Sequence, residues 1–278
     1  MPELPELQAH AERLGEAFGG AVLAGFRPIT FTALKTFRPD PADAVGRPLS
    51  GAGRRGKYLL LEFGALTFVV HLMQGGRLTP DEKQAAKPRG GIARWSFDDG
   101  RALLLTEPGT ERKAGVWVVD GDPLVQPPLD HLGPDADTLD AAAWAEVLAG
   151  ASRRLHGLLR DQTVVAGIGR RLANEICHRA RLSPFASAAK LDPTQVEALA
   201  AAVRSCIDES LAEERGRDQM VRSSERGGAV HHRIGDACPV CGDVVRSVAY
   251  RAYTVAYCPT CQTDGRVLAD NTTSKFLK

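Results

Sequence analysis

The run CPVCGDVVRSVAYRAYTVAYCPTC, residues 238–261, decides how the C-terminal part of this chain folds. It opens on Cys238 and Cys241 and closes on Cys258 and Cys261, two Cys-x-x-Cys knuckles with 16 residues between them. That spacing lies in the range of a four-thiolate zinc site. Between the knuckles, VVRSVAYRAYTVAY alternates apolar and polar residues as a β-hairpin does. A hairpin this short has no core of its own, so one structural Zn2+ is expected to staple it. The same pattern suits a metal ribbon whose only role is architectural.

Outward from this run, Cys177 and Cys206 fall in helical stretches and read as small packed apolar residues rather than ligands. A chain of 278 residues is long enough for two or three units. Its 44% hydrophobic and 25% charged residues are those of a globular protein, and no apolar run reaches the length of a membrane span. The opening MPELPELQ resembles no secretory leader, so the expected setting is a reducing cytoplasm in which paired cysteines mean metal. A formal net charge of +1 hides an asymmetry. Residues 1–150 carry 16 Lys and Arg against 20 Asp and Glu, and residues 151–278 carry 19 against 14, so attraction for a polyanion concentrates in the second half.

Leu7, Ala11, Leu14 and Phe18 recur at helical spacing after Pro2 and Pro5, and Gly19-Gly20 ends that helix. From about 21 to 120 the pattern changes to short strands, AVLAGF, KYLLLEF, LTFVVHL, IARWSF, ALLLT and GVWVV, which read as an antiparallel sandwich or barrel. A Pro-rich linker, 122–134, precedes helical stretches at 140–149, 153–159, 171–180 and 193–214. Residues 215–235, rich in Arg, Ser and Gly, read as an exposed loop. The expected organisation is 1–125, an N-terminal β-sandwich with a leading helix; 135–225, a helical domain; and 230–278, the cysteine hairpin.

The N-terminus carries its own chemistry. Removal of the initiator methionine leaves Pro2 with a free secondary amine, and an α-amino group, with an ordinary pKa of about 8, is partly unprotonated at neutral pH. Such an amine can attack an aldehyde carbon and form an iminium. Glu3 and Glu6, three residues apart, share the first helical turn. One carboxyl can donate a proton while the other holds a charged intermediate, or both can simply complement the helix dipole.

Taken in order, MPELPE, Lys57 in GRRGKYLLL, His71 in VVHL, the segment RDQTVVAGIGRRLANEI and the terminal CPVCG and CPTCQ resemble the formamidopyrimidine-DNA glycosylase and endonuclease VIII family over nearly the whole chain. The resemblance implies a β-sandwich with a leading helix, a helix-two-turn-helix domain and a zinc finger. Double-stranded DNA with a damaged base or abasic site would lie between the lobes of a monomer. It implies that Pro2 attacks C1′, expels the base and carries the sugar as a Schiff base through β- and δ-elimination. Glu3 would be the general acid, Glu6 a supporting carboxylate, and Lys57 a phosphate ligand and proton source. Gly167-Ile168-Gly169 before a helix suits the phosphate grip that extrusion of a nucleotide requires, and His71 is a candidate near DNA.

The chain departs from the family pattern at several positions. Arg170 replaces an asparagine after the G-x-G turn, and a guanidinium binds phosphate more strongly and less selectively. Where the family commonly supplies residues to fill the gap left by an extruded base, HLMQGGRL offers Gln74 and EPGTERKAG offers Arg112, with Ala114 in place of an aromatic wedge. Tyr253 stands where the hairpin arginine is expected, with Arg251 on the same face of the strand. These departures leave open a chain acting mainly as an abasic-site lyase, or a zinc-dependent binder of damaged DNA without catalysis. Retention of Pro2, Glu3, Glu6 and Lys57 argues against the binder.

Overall fold

In the computed structural model, which describes residues 1–221, 225–250 and 253–268, helix α1 spans Leu4–Phe18. Leu4, Leu7, Ala11, Leu14 and Phe18 form its buried stripe. Glu3 is the N-cap, Pro5 sits in the first turn and Pro2 precedes the helix. The helix stops at Gly19, whose N–H bonds Gly15 O at 2.9 Å; a Cβ there would stand 2.5 Å from that carbonyl oxygen.

Eight strands follow: β1 Leu23–Pro28, β2 Gly51–Arg55, β3 Tyr58–Phe63, β4 Leu66–His71, β5 Arg77–Pro80, β6 Gly91–Phe97, β7 Ala102–Thr106 and β8 Gly115–Asp120. They form two antiparallel sheets, ordered β1-β6-β7-β5 and β2-β3-β4-β8, and make the sandwich that the sequence implies. Phe26, Phe63, Phe68 and Trp95 meet between them with ring centroids 5.0–5.9 Å apart. Burying a side chain such as Phe68, fully enclosed here, is worth about 1.5–3 kcal/mol.

Two strands lie outside the apolar runs of the sequence, and both are sheet edges. β2 reads GAGRR and has no apolar run; pairing with β3 and packing against α1 hold it. β5 is four residues ending in Pro80, a residue tolerated at a sheet edge, where the donor it lacks can face away from the neighbouring strand.

The chain divides into two units, Met1–His131 and Leu132–Lys278. In the second, helices α2 Ala141–Ala149, α3 Leu155–Leu159, α4 Arg170–Arg179 and α5 Pro193–Arg215 fall within one or two residues of the sequence reading. Asp140 caps α2 by accepting from Ala143 N at 2.8 Å, and Asp192 with Gln195 makes a reciprocal capping box on α5. Strands β9 Arg246–Ala249 and β10 Thr254–Tyr257 form the hairpin, followed by the short helix α6 Pro259–Gln262. Cys177 and Cys206 are buried, and burial holds both thiols protonated, Cys206 with its pKa pushed up to about 12.

The described residues after Arg215 form a loop to 235, as the sequence reads, and much of it is exposed, but not all. Met220, Arg226 and Val230 are buried, and Glu175 of α4 accepts the N–H groups of Ala229, Val230 and His231 at 2.7, 3.1 and 2.8 Å. Polar composition suggested solvent, but a single carboxylate satisfies three backbone donors and fastens the segment to the helix. No helix among the described residues is long and apolar enough to cross a membrane.

Candidate functional site

In the first unit the site begins with the cap of α1. The N–H of Glu3 donates to Glu6 Oε2 at 2.6 Å, and the Glu3 side chain answers toward the backbone of Glu6. This is the capping box that an acidic pair three residues apart can form. Pro2, Glu3 and Glu6 are all buried, with Glu6 fully enclosed. The bland reading of the pair is therefore correct as far as it goes. Capping also fixes both carboxylates beside Pro2.

Lys57 occupies the turn between β2 and β3, where Gly56 takes φ 54°, a conformation disfavoured for residues with a Cβ. Register pairs the next residue, Tyr58, with His71 on β4, and their rings lie 4.6 Å apart. The pKa of His71 is lowered to about 4, first by burial, then by the positive charges of Lys57 and of the chain's amino terminus. Both positive groups are thus within electrostatic reach of His71. The N–H of Met73 donates to His71 Nδ1 at 3.2 Å, so the neutral ring carries its proton on Nε2 and presents a donor there.

Gln74 is exposed in the turn after β4, beside Met73 at φ 53°. Arg112 is exposed in the loop before β8, its Nε directed at Gly109 O at 3.4 Å. The two loops approach where Gly75 faces Pro108; a Cβ on Gly75 would stand 3.2 Å from the proline ring. Ala114 is buried, and Glu107 Oε2 accepts from both Lys113 N at 2.6 Å and Ala114 N at 2.7 Å. That position is an anchor of the loop rather than its tip.

In the second unit, Gly169 is the buried N-cap of α4 and Arg170 the exposed first helical residue. Gly167 takes φ 99°. The side chain of Gln162 braces this turn, accepting from Gly167 N at 3.0 Å and donating to Ile168 O at 2.9 Å. Its role is invisible in sequence because glutamine has no turn signature. Arg160 lies over the ring of Tyr253, 4.1 Å from its centroid, and Tyr253 stacks on Tyr250 at 4.8 Å. The residue replacing the expected arginine therefore holds another arginine by cation–π attraction. Burial first, then Arg160 and other charges including Arg170, hold His156 neutral with a pKa of about 3. Arg251 lies outside the described residues.

The cysteines converge. Cys241 and Cys258 have sulfurs 3.3 Å apart, and Cys238 and Cys261 3.9 Å. A tetrahedral ion with metal–sulfur bonds of about 2.3 Å has ligands about 3.8 Å apart, so these separations fit one metal with little adjustment. His178, on α4, joins the group: its Nε2, Cys238, Cys258 and Cys261 offer ligand atoms all within 4.8 Å of one another. No spacing motif points to His178, which lies 60 positions from its sulfur partner. The knuckles are braced in turn: Gln262 accepts from Cys258 N at 2.8 Å and donates to Leu182 O at 3.0 Å, and Asp243 accepts from Thr260 Oγ1 at 2.8 Å.

A sandwich with an acid-capped leading helix and a helical unit carrying a hairpin with a cluster of cysteines define the class of protein built on the helix-two-turn-helix plan. Residues 1–117 match the formamidopyrimidine-DNA glycosylase N-terminal domain, and residues 132–221 match the H2TH domain of the same glycosylase. The chain belongs to the formamidopyrimidine-DNA glycosylase family. It is 31% identical over 275 residues to the formamidopyrimidine-DNA glycosylase of Chloroflexus aurantiacus, covering 94% of this chain and 98% of the relative. Over 149 residues it is 42% identical to an uncharacterized formamidopyrimidine-DNA glycosylase-like protein of Mycobacterium tuberculosis, covering 53% of this chain and 94% of that protein. Among solved structures, the MutM (Fpg) protein of Thermus thermophilus superposes with a TM-score of 0.81 at 27% identity, covering 94% of this chain and 98% of that one. The Lactococcus lactis glycosylase, solved bound to DNA containing an abasic site, shares the fold with a TM-score of 0.81 at 20% identity, over 94% of this chain and 99% of its own.

Proposed function

We propose that this chain is a base-excision DNA glycosylase that also cleaves the strand at the abasic site it creates. The observation that carries the reading is the buried acidic cap at the start of α1, where Glu3 and Glu6 are held by reciprocal hydrogen bonds directly after Pro2. With Met1 removed, the amine of Pro2 adds to C1′ of a damaged nucleotide in duplex DNA, and the bond from C1′ to the base breaks. Glu3 supplies the proton that the departing group needs, and Glu6 steadies the cationic intermediate. The iminium acidifies the C2′ proton; its loss breaks the C3′–O bond, a second elimination breaks C5′–O, and water frees Pro2. Lys57 binds phosphate and returns a proton.

In this reading residues 1–125 are the catalytic domain, 135–225 the helix-two-turn-helix domain and 230–278 the finger, in a monomer. His71, Gln74, Arg112, Gly169, Arg170 and Arg251 contact DNA. Cys238, Cys241, Cys258 and Cys261 hold Zn2+, whose contribution is a structural cross-link and not a reaction step. A cytoplasmic location follows from the expected reduced state of these thiols.

Borohydride reduction in the presence of abasic-site duplex tests the mechanism. A covalent adduct mapped to Pro2 is expected. Measurable duplex binding without an adduct, in protein whose methionine has been removed, would leave the binder reading standing. The buried Ala114 favours a narrower second reading, mainly an abasic-site lyase with weak base excision, because no aromatic side chain is offered there. Duplexes each carrying one lesion divide the two readings.

A further inference from the structure

We propose that His178 belongs to the metal centre as an outer donor, its Nε2–H giving a hydrogen bond to the Cys238 sulfur of a four-thiolate site and tying that site to helix α4. The proposal rests on the four-cysteine zinc reading and deepens it.

His178 is 4% exposed, and its Nε2 lies 3.3 Å from Cys238 Sγ. A buried imidazole nitrogen needs a polar partner. Among the described residues the sulfur is the side-chain partner that His178 has. Four thiolates on a divalent ion leave a net charge of −2, and Cys238 and Cys258 are buried, so donors directed at the sulfurs are the usual way to hold such charge out of water. With all four sulfurs taken as ligands, a tetrahedral ion is satisfied and the imidazole stands outside the ligand set. The competing arrangement exchanges the exposed Cys241 for His178 and gives a centre of three sulfurs and one nitrogen.

The position of His178 on α4 gives the bond its consequence. Asn174, Glu175 and His178 lie on one side of the helix, at spacings that bring side chains together. Asn174 Nδ2 donates to His231 Nδ1 at 2.9 Å, Glu175 accepts the backbone N–H groups of 229–231, and His178 reaches Cys238. One helical face thus holds residues 229–231 and Cys238 of the first knuckle, and the same helix begins at Gly169 and Arg170.

The test uses the full chain, its His178→Phe variant, which has no donor, and its His178→Gln variant, whose amide restores one. Competition with a chelator should show zinc held about 10–100-fold less tightly by the Phe variant, with most of the loss recovered by Gln. Cobalt-substituted wild type should give a four-sulfur absorption spectrum, and the Phe variant should keep that pattern with a small shift in the sulfur-to-metal charge-transfer band. A wild-type spectrum of three sulfurs and one nitrogen, or equal zinc affinity in wild type and a folded Phe variant, overturns the proposal. If wild type binds no zinc through its thiolates, the underlying reading fails instead. Circular dichroism reports folding of each variant.

Discussion

At the start of the sandwich unit, Glu3 and Glu6 are locked into a helix cap beside a large apolar core, whereas the cluster under the hairpin is small, Val230, Val245 and Ala256 with Cys238 and Cys258, and Tyr257 is buried beside it. The first arrangement keeps its geometry from backbone hydrogen bonds and burial alone. The second has a smaller apolar core, is fastened by side chains of α4, and carries a cysteine cluster that a metal ion would cross-link. The two halves of the machinery should therefore fail differently, the first chemically and the second mechanically.

The largest effect expected is for Glu3→Gln. Glutamine can still occupy the cap but cannot protonate a leaving group, so single-turnover base excision should fall by about 10²–10⁴-fold. Borohydride adducts with a preformed abasic site should persist, because the aldehyde needs no acid to expel a base. Equal loss of both would mean that the cap and not the proton had been damaged. Next, Cys258→Ser should weaken duplex binding while the sandwich unit keeps its strand signal in circular dichroism. Collapse of both units together would erase the contrast between them.

A smaller effect is expected at Arg170. Replacing it with Ala should lower affinity similarly for every duplex sequence and reduce the slope of log affinity against log salt by about 1. An unchanged slope would remove Arg170 from the phosphate contacts. A pH effect on stability is expected as well. His10 and His71 in the first unit have pKa values of about 4, and His156 and His231 in the second of about 3, all lowered mainly by burial. The unfolded chain binds protons on these rings below about pH 6.5 while the folded chain does not, so their contribution is intact above that value and is lost as pH falls toward 4 and 3. Urea midpoints at about pH 7 and about pH 5 should show the decline, and His71→Gln should flatten it.

Much of this was legible in sequence, and the illegible parts share a cause. α1, the six apolar strands and the long helix α5 follow from periodicity, and the metal site from cysteine spacing. β2 and β5 escaped because an edge strand is specified by its neighbour more than by its own residues; GAGRR becomes a strand when β3 offers it a ladder. Gln162, Glu175 and His178 escaped because each acts on backbone or sulfur that only folding brings near. Arg160 is the subtler case: Tyr253 marked a missing arginine, but only the ring stacking reveals that a different guanidinium is held there.

The carboxylate of Glu175 also bears on where the duplex can be gripped. Successive N–H groups pointing at a common centre form a backbone nest of the kind that elsewhere captures phosphate or sulfate. At 229–231 this receptor is already plugged from within by an anion belonging to the chain. With those three donors already taken by Glu175, the bend leading into the finger offers no free backbone nest to a phosphate of the duplex.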